Sequence, residues 1–153
     1  MVMKKIKLTE SDLYRIIKQV LLEQEEEEKR TVTFDSEKFK MLITSSEKII
    51  KHFNNKYDEI IVNGDLYLTE TPIQSLPDNL YVGGWLWLGK TPIQALPDNL
   101  RVEGELDLRG TQIQSLPDNL DVTDTIYIKG TPLNDNDKLV KKYNKKYTIN
   151  RTI

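Results

Sequence analysis

Apolar residues recur at every second position in short runs through the middle of the chain, and the runs themselves recur every 20 residues. Residues 61–80, 81–100 and 101–120 superimpose without a gap, and 121–140 keeps the same frame until its second half. The second position is Val62, Val82, Val102 and Val122; the sixth and eighth are Leu66/Leu68, Leu86/Leu88, Leu106/Leu108 and Ile126/Ile128. Thr71, Thr91, Thr111 and Thr131 hold the eleventh, and Ile73, Ile93, Ile113 and Leu133 the thirteenth. Three units then carry Leu-Pro-Asp-Asn-Leu, at residues 76–80, 96–100 and 116–120. Alternation such as Leu86-Trp87-Leu88 predicts short strands with one buried face, and the Gly, Pro, Asp and Asn between them predict turns. Each unit therefore reads as one coil of a repeat solenoid, mainly β, spanning residues 61–140. A single coil buries too few aliphatic side chains to offset the ordering of its backbone, so coils must stack and be capped at both ends.

The flanks supply candidate caps. Asp35-Ser36-Glu37 followed by Phe39, Leu42, Ile43, Ile49, Ile50 and Phe53 predicts an amphipathic capping helix over 36–54, broken or bent near Ser45-Ser46, within a segment 31–60. Residues 134–137 offer an N-cap for a short helix over 138–143, with a strand at 147–149, which makes 134–153 the second cap. Residues 1–30 read as separable: Thr9 and Asp12 suit a capping box, and Leu8 and Leu13 a hydrophobic staple. Leu13, Ile16, Ile17, Val20 and Leu21 then form one apolar stripe at helical spacing before the helix runs into an acidic linker at 24–30.

Composition narrows the chemistry. The 153 residues suffice for one domain plus tails, and the absence of cysteine excludes disulfides, thiolate zinc sites and a cysteine nucleophile. The basic opening is interrupted by Glu10, Asp12, Arg15 and Lys18, so no signal peptide is predicted and a cytoplasmic or virion-associated location is expected. No apolar run approaches a membrane span, and no membrane partner is expected. The net charge of −2 conceals an asymmetry: residues 61–130 hold four Lys/Arg against ten Asp/Glu, whereas 131–153 hold six against two. An acidic repeat surface repels phosphate backbones, which argues against nucleic acid as a partner of the repeats.

The run Leu-x-Leu-x-x-Thr-x-Ile-x-x-Leu-Pro resembles the leucine-rich repeat, with Thr where that family places a buried Asn, over about half the chain. Its 20-residue period and Leu-Pro are most similar to the short LPX class of bacterial effectors and of phage and bacterial repeat proteins. The resemblance implies a concave sheet that binds partners; the Val-x-Gly ahead of the strands leaves a flatter, β-helix-like section open. Some LPX effectors carry a ubiquitin-ligase domain with a catalytic cysteine, which has no counterpart here. Residues 7–23 resemble leader segments of tailed-phage proteins, including capsid-targeting peptides removed by a prohead protease. Those proteases favour Leu-x-Glu, so the resemblance implies processing after Glu23, in Leu21-Leu22-Glu23.

On a leucine-rich-repeat sheet the residues alternating with the strand leucines face outward, forming two ladders: Asp65, Trp85, Glu105, Thr125 and Tyr67, Trp87, Asp107, Tyr127. Large aromatics flanked by acids are the composition of a binding hot spot, although cross-strand stacking in support of the sheet would use the same rings. The candidate partner-binding residues are thus Tyr67, Trp85, Trp87, Glu105, Asp107 and Tyr127, for a protein or a glycan on the concave face. The stripe Leu13, Ile16, Ile17, Val20, Leu21 is the candidate assembly helix, or a helix folded back on the body. The repeated Asp-Asn pairs read as turn chemistry and the Thr ladder as structural. His52, the single histidine, sits near the end of the predicted capping helix. No nucleophile, phosphate loop or metal motif is found, and no catalytic site, cofactor or metal is read. The expected function is a non-catalytic interaction module, with a packaged or structural virion protein as the alternative; the oligomeric state is left open.

Overall fold

The structure, a computed structural model, describes residues 9–12, 14–17 and 30–152. Its repeats do not fold as one strand per unit. The first parallel sheet joins β1 (Thr31–Asp35), β2 (Glu59–Asn63), β4 (Leu80–Val82), β6 (Arg101–Val102) and β8 (Asp121–Val122), in that order. The second joins β10 (Thr148–Asn150), β9 (Thr125–Tyr127), β7 (Leu106–Asp107), β5 (Leu86–Trp87) and β3 (Leu66–Tyr67). Among the described residues the helical segments are α1, described at 10–12 and 14–17, α2 (Ser36–Ser45), α3 (Glu47–Lys56) and α4 (Asp137–Tyr143), with a 3-10 turn at Pro132–Asp135.

The expected mainly-β, leucine-rich-type solenoid with one concave sheet is therefore corrected: the fold is of α/β type, two five-stranded parallel sheets accompanied by helices. The reason lies in the valine position. Val62, Val82, Val102 and Val122 do not merely precede a strand; they lie within strands of their own, β2, β4, β6 and β8. A bend, at the fourth position in the first unit and at the third and fourth in the others, separates each of them from the next strand, and Gly64 there adopts φ 79°. Segments outside the repeats extend both sheets. β1 pairs with β2 from Thr31↔Glu59 to Asp35↔Asn63, and β10 pairs with β9 from Thr148↔Thr125 to Asn150↔Tyr127.

Within the repeats the register is 20 residues, Val82↔Val102↔Val122 in the first sheet and Leu66↔Leu86↔Leu106↔Ile126 in the second. Equivalent side chains are thus stacked on one another, and those pointing inward from both sheets share one core with Ile73, Ile93, Ile113, Leu133 and the Leu-Pro leucines. Thr91, Thr111 and Thr131 are buried beside them, each donating its hydroxyl to the carbonyl three residues earlier, Leu88, Leu108 and Ile128, at 2.7 Å. The bond is local, and it satisfies the hydroxyl without crossing to the next unit. Asn79 and Asn99 take left-handed backbone, φ 55° and 56°, which Asn tolerates better than most residues. Their side chains form a ladder: Asn99 Nδ2 donates to Asn79 Oδ1 and Asn119 Nδ2 to Asn99 Oδ1, both at 2.8 Å.

The ends are closed by aromatic residues. Phe34 of β1 meets Phe39 and Phe53 at 5.6 Å between ring centroids, tying α2 and α3 to the first sheet. The helical segment over 36–54 is broken at Ser46, where a break or bend was expected: Ser46 is extended (φ −168°, ψ 135°) and caps α3 by accepting from the Lys48 N–H. At the other end Tyr143 exchanges hydrogen bonds with the Leu116 backbone, and the Tyr147 hydroxyl donates to the Leu120 carbonyl at 2.6 Å. Of the described residues of α1, Thr9 and Asp12 bond reciprocally as a capping box, while Ile16 and Ile17 are exposed. Leu8, Leu13, Val20, Leu21 and Glu23 lie outside the described residues.

Candidate binding face on the second sheet

The side chains of the second sheet that alternate with its buried leucines come together on its outward side. Trp85 and Trp87 are two apart, so both project outward, and their rings stack with centroids 6.0 Å apart and planes 16° from parallel. Tyr67, one unit earlier and in register with Trp87, brings its ring to 5.2 Å from that indole. Tyr67 is 44% exposed and Trp85 42%. Trp85 is seated on Gly104: a Cβ built there would lie 2.0 Å from Trp85 Cδ1, so the ring occupies the space a side chain would need.

The acidic members of the ladders are engaged with their neighbours. Asp65 accepts the Trp85 N–H at 2.8 Å and the Tyr67 hydroxyl at 3.1 Å, and Glu105 accepts the Tyr127 hydroxyl at 2.9 Å. These bonds hold the phenolic protons, and they are the main reason both Tyr67 and Tyr127 titrate above the ordinary tyrosine range. Asp107 is only 7% exposed despite facing outward. Arg109 grips it with two bonds, Nε to Oδ1 at 2.9 Å and Nη2 to Oδ2 at 2.8 Å. That pairing raises the guanidinium pKa further, and the Arg109 cation also lies 5.5 Å from the centre of the Tyr127 ring.

A cleft of about 480 Å³ opens beside Trp87, over Gly89 and Gly110, and a smaller one of about 180 Å³ adjoins it between Trp87, Arg109 and Tyr127. The six residues singled out from the ladders all belong to this face, with Trp87 and Asp107 on the walls of both clefts. Thr69, Gly89, Arg109 and Lys129, the ninth position of successive units, and Lys90 were not singled out. The signal was present in the frame, since four of them are the next residues in the same alternation. The remaining sequence candidates lie elsewhere: His52 is exposed on α3, its ring 6.4 Å from Phe53, and the Asp78 backbone and side chain bond Asn54. Among the described residues, no three His, Asp or Glu side chains are placed to hold a metal ion, and no helix is long and apolar enough to cross a membrane.

Comparison with known proteins adds no relative: no family model matches the chain, and neither the curated proteins nor the solved structures yielded a match.

Proposed function

We propose that this protein is a non-catalytic binding module that holds a protein or glycan partner against the outward face of its second sheet. The observation that carries this reading is the contiguous aromatic group of Tyr67, Trp87 and Trp85, in mutual contact yet with two of its rings more than 40% exposed. Folding buries aromatic surface where it can; a cluster left open on a flat sheet, bordered by ordered charged pairs, has the make-up of an interface core with a polar rim. The carboxylates of the face are taken up in bonds to Tyr127, Arg109, Tyr67 and Trp85, which makes them positioning groups for the rings and rim.

The test is retention of partners from the natural source on the immobilised full chain, compared between the native protein and the double variant Trp85→Ala, Trp87→Ala. The variant should lose retention while its melting temperature falls by only a few degrees, because neither ring is in the core. Unchanged retention together with a large loss of stability would show that the rings serve the sheet and overturn the proposal.

A further inference from the structure

The cleft over Gly89 has an electrostatic character opposite to that of its surroundings. Residues 61–130 contain four cationic side chains, Lys90, Arg101, Arg109 and Lys129, against ten acidic ones. Three of the four, Lys90, Arg109 and Lys129, line this one cleft, where Asp107 is the one acidic lining residue and Glu70 pairs with Lys90 at 2.7 Å at the rim, leaving the cations in excess. Trp87 forms an aromatic wall, Thr69 contributes a hydroxyl, and Gly89 and Gly110 leave the floor bare. The gap exists because the ninth position, Thr69, Arg109 or Lys129 in the other units, is glycine in this one.

From this we infer that the cleft binds an acidic sugar unit, a pyranose ring carrying a carboxylate, with one face of the ring on Trp87 and the carboxylate between the Lys90 and Lys129 ammonium groups. The inference rests on the binding-face reading above and names a ligand class for it. The C–H face of a sugar ring is apolar and complements the electron-rich face of an indole. Hydroxyls on adjacent carbons both donate and accept, and Asp107 and Arg109, held side by side, offer an acceptor and donors in one plane. A Cβ at Gly89 would lie 3.4 Å from Asp107 Oδ2, so that oxygen borders the empty side-chain space.

The chemistry disfavours an extended peptide. The backbone beneath the cleft is consumed by the ladder: Glu70 N–H donates to the Gly89 carbonyl at 3.0 Å, Lys90 N–H to Arg109 at 2.7 Å and Gly110 N–H to Lys129 at 2.9 Å. No strand can be added over Gly89 and Gly110, because they follow β5 and β7, which are interior to the sheet; of the lining residues Thr69 alone follows an edge strand, β3.

The full chain should be titrated with a galacturonate tetramer, with the uncharged galactose tetramer of the same linkage and with a tetraglutamate peptide, following tryptophan fluorescence and calorimetric heat. The galacturonate should bind at least about tenfold more tightly than either control, and added salt should weaken it. Gly89→Thr fills the gap with the residue that Thr69 places one unit earlier, and should weaken galacturonate binding about tenfold with little change in melting temperature. Lys129→Gln, an exposed change that leaves the fold alone, should weaken it several-fold and flatten its salt dependence. Equal binding of the neutral tetramer, tighter binding of the peptide, or undiminished binding by both variants would each overturn the inference. The two readings fail separately. Partner retention that depends on Trp85 and Trp87, with no galacturonate binding, overturns only the cleft assignment; cleft binding with retention indifferent to the tryptophans overturns only the face.

Discussion

The two sheets are built from the same units, in the same 20-residue register, around the same core, yet their outward faces differ in kind. On the first sheet the outward row is Ile61, Tyr81, Arg101 and Asp121, one residue from each unit. Arg101 lies 5.2 Å from the centre of the Tyr81 ring and 3.9 Å from Asp121, and half or more of both charged side chains is open to solvent. Such a row saturates itself with weak, solvated contacts. On the second sheet the corresponding rows concentrate two tryptophans, two tyrosines and a buried Asp107 paired with the partly exposed Arg109. The first sheet carries a single ring, Tyr81, in this row, so a cluster of aromatics is not a general requirement of sheets stacked in this register; the proposed binding face rests on that contrast.

The comparison depends on the sheets sharing one core, and the most disruptive change tests that. Leu86→Ala, at a side chain with no exposed surface, should cost about 2–5 kcal/mol. Because Leu86 packs into the same cluster as Val82 and Val102 of the first sheet, both sheets should melt together. Coincident denaturation curves by circular dichroism and tryptophan fluorescence are expected; fluorescence that changes first would mean that the sheets are separate units.

A smaller effect sharpens the contrast at the bend between the sheets. Gly104→Ala should cost about 1–3 kcal/mol and shift the tryptophan emission, because its Cβ would collide with Trp85 at 2.0 Å. Gly83→Ala, in the preceding unit's bend, places its Cβ 3.4 Å from the Val62 carbonyl oxygen, a contact that slight adjustment relieves, and should cost less. Equal costs, measured by denaturant unfolding, would show that the Trp85 ring moves freely and is not held on Gly104.

The smallest effect lies at the cleft rim. Lys90 Nζ contacts Glu70 Oε1 at 2.7 Å, and that hydrogen bond is the main reason the Glu70 pKa is lowered. A lowered folded pKa means that the contribution is present above the unfolded value and disappears as pH falls through the folded one. Both side chains are mostly exposed, so the thermal midpoint should hardly respond. Lys90→Ala should nonetheless return Glu70 to the ordinary carboxylate range in an NMR titration; an unchanged Glu70 titration would separate Lys90 from this pair.

Much of the outward face was legible because alternation is a local property. Trp85 and Trp87 flank Leu86, so burying the leucine places both indoles outside whatever the sheet pairs with. The first sheet was not legible in the same way. β6 and β8 are two residues each, too short to display a period, and they are strands only because Arg101 and Val102 pair with the neighbouring units. β1 was hidden for a related reason: Thr31–Asp35 lies in the segment 31–60, read as a capping helix, and its pairing with Glu59–Asn63 crosses both α2 and α3. The cleft escaped because Gly89, Arg109 and Lys129 are each 20 residues apart, and a glycine carries no chemistry until its neighbours surround it.

Period and alternation along the chain therefore determine which side chains face inward, where the turns fall and which rings remain outside, since each depends on residues a few positions apart. Two strands per unit, the ends that extend both sheets, the Asn79–Asn99–Asn119 ladder and the cationic cleft in an acidic surface were decided only by stacking. Hydrogen bonds and charges that act between units have no expression in the sequence of any single unit, and the register that joins them exists only once the core is packed.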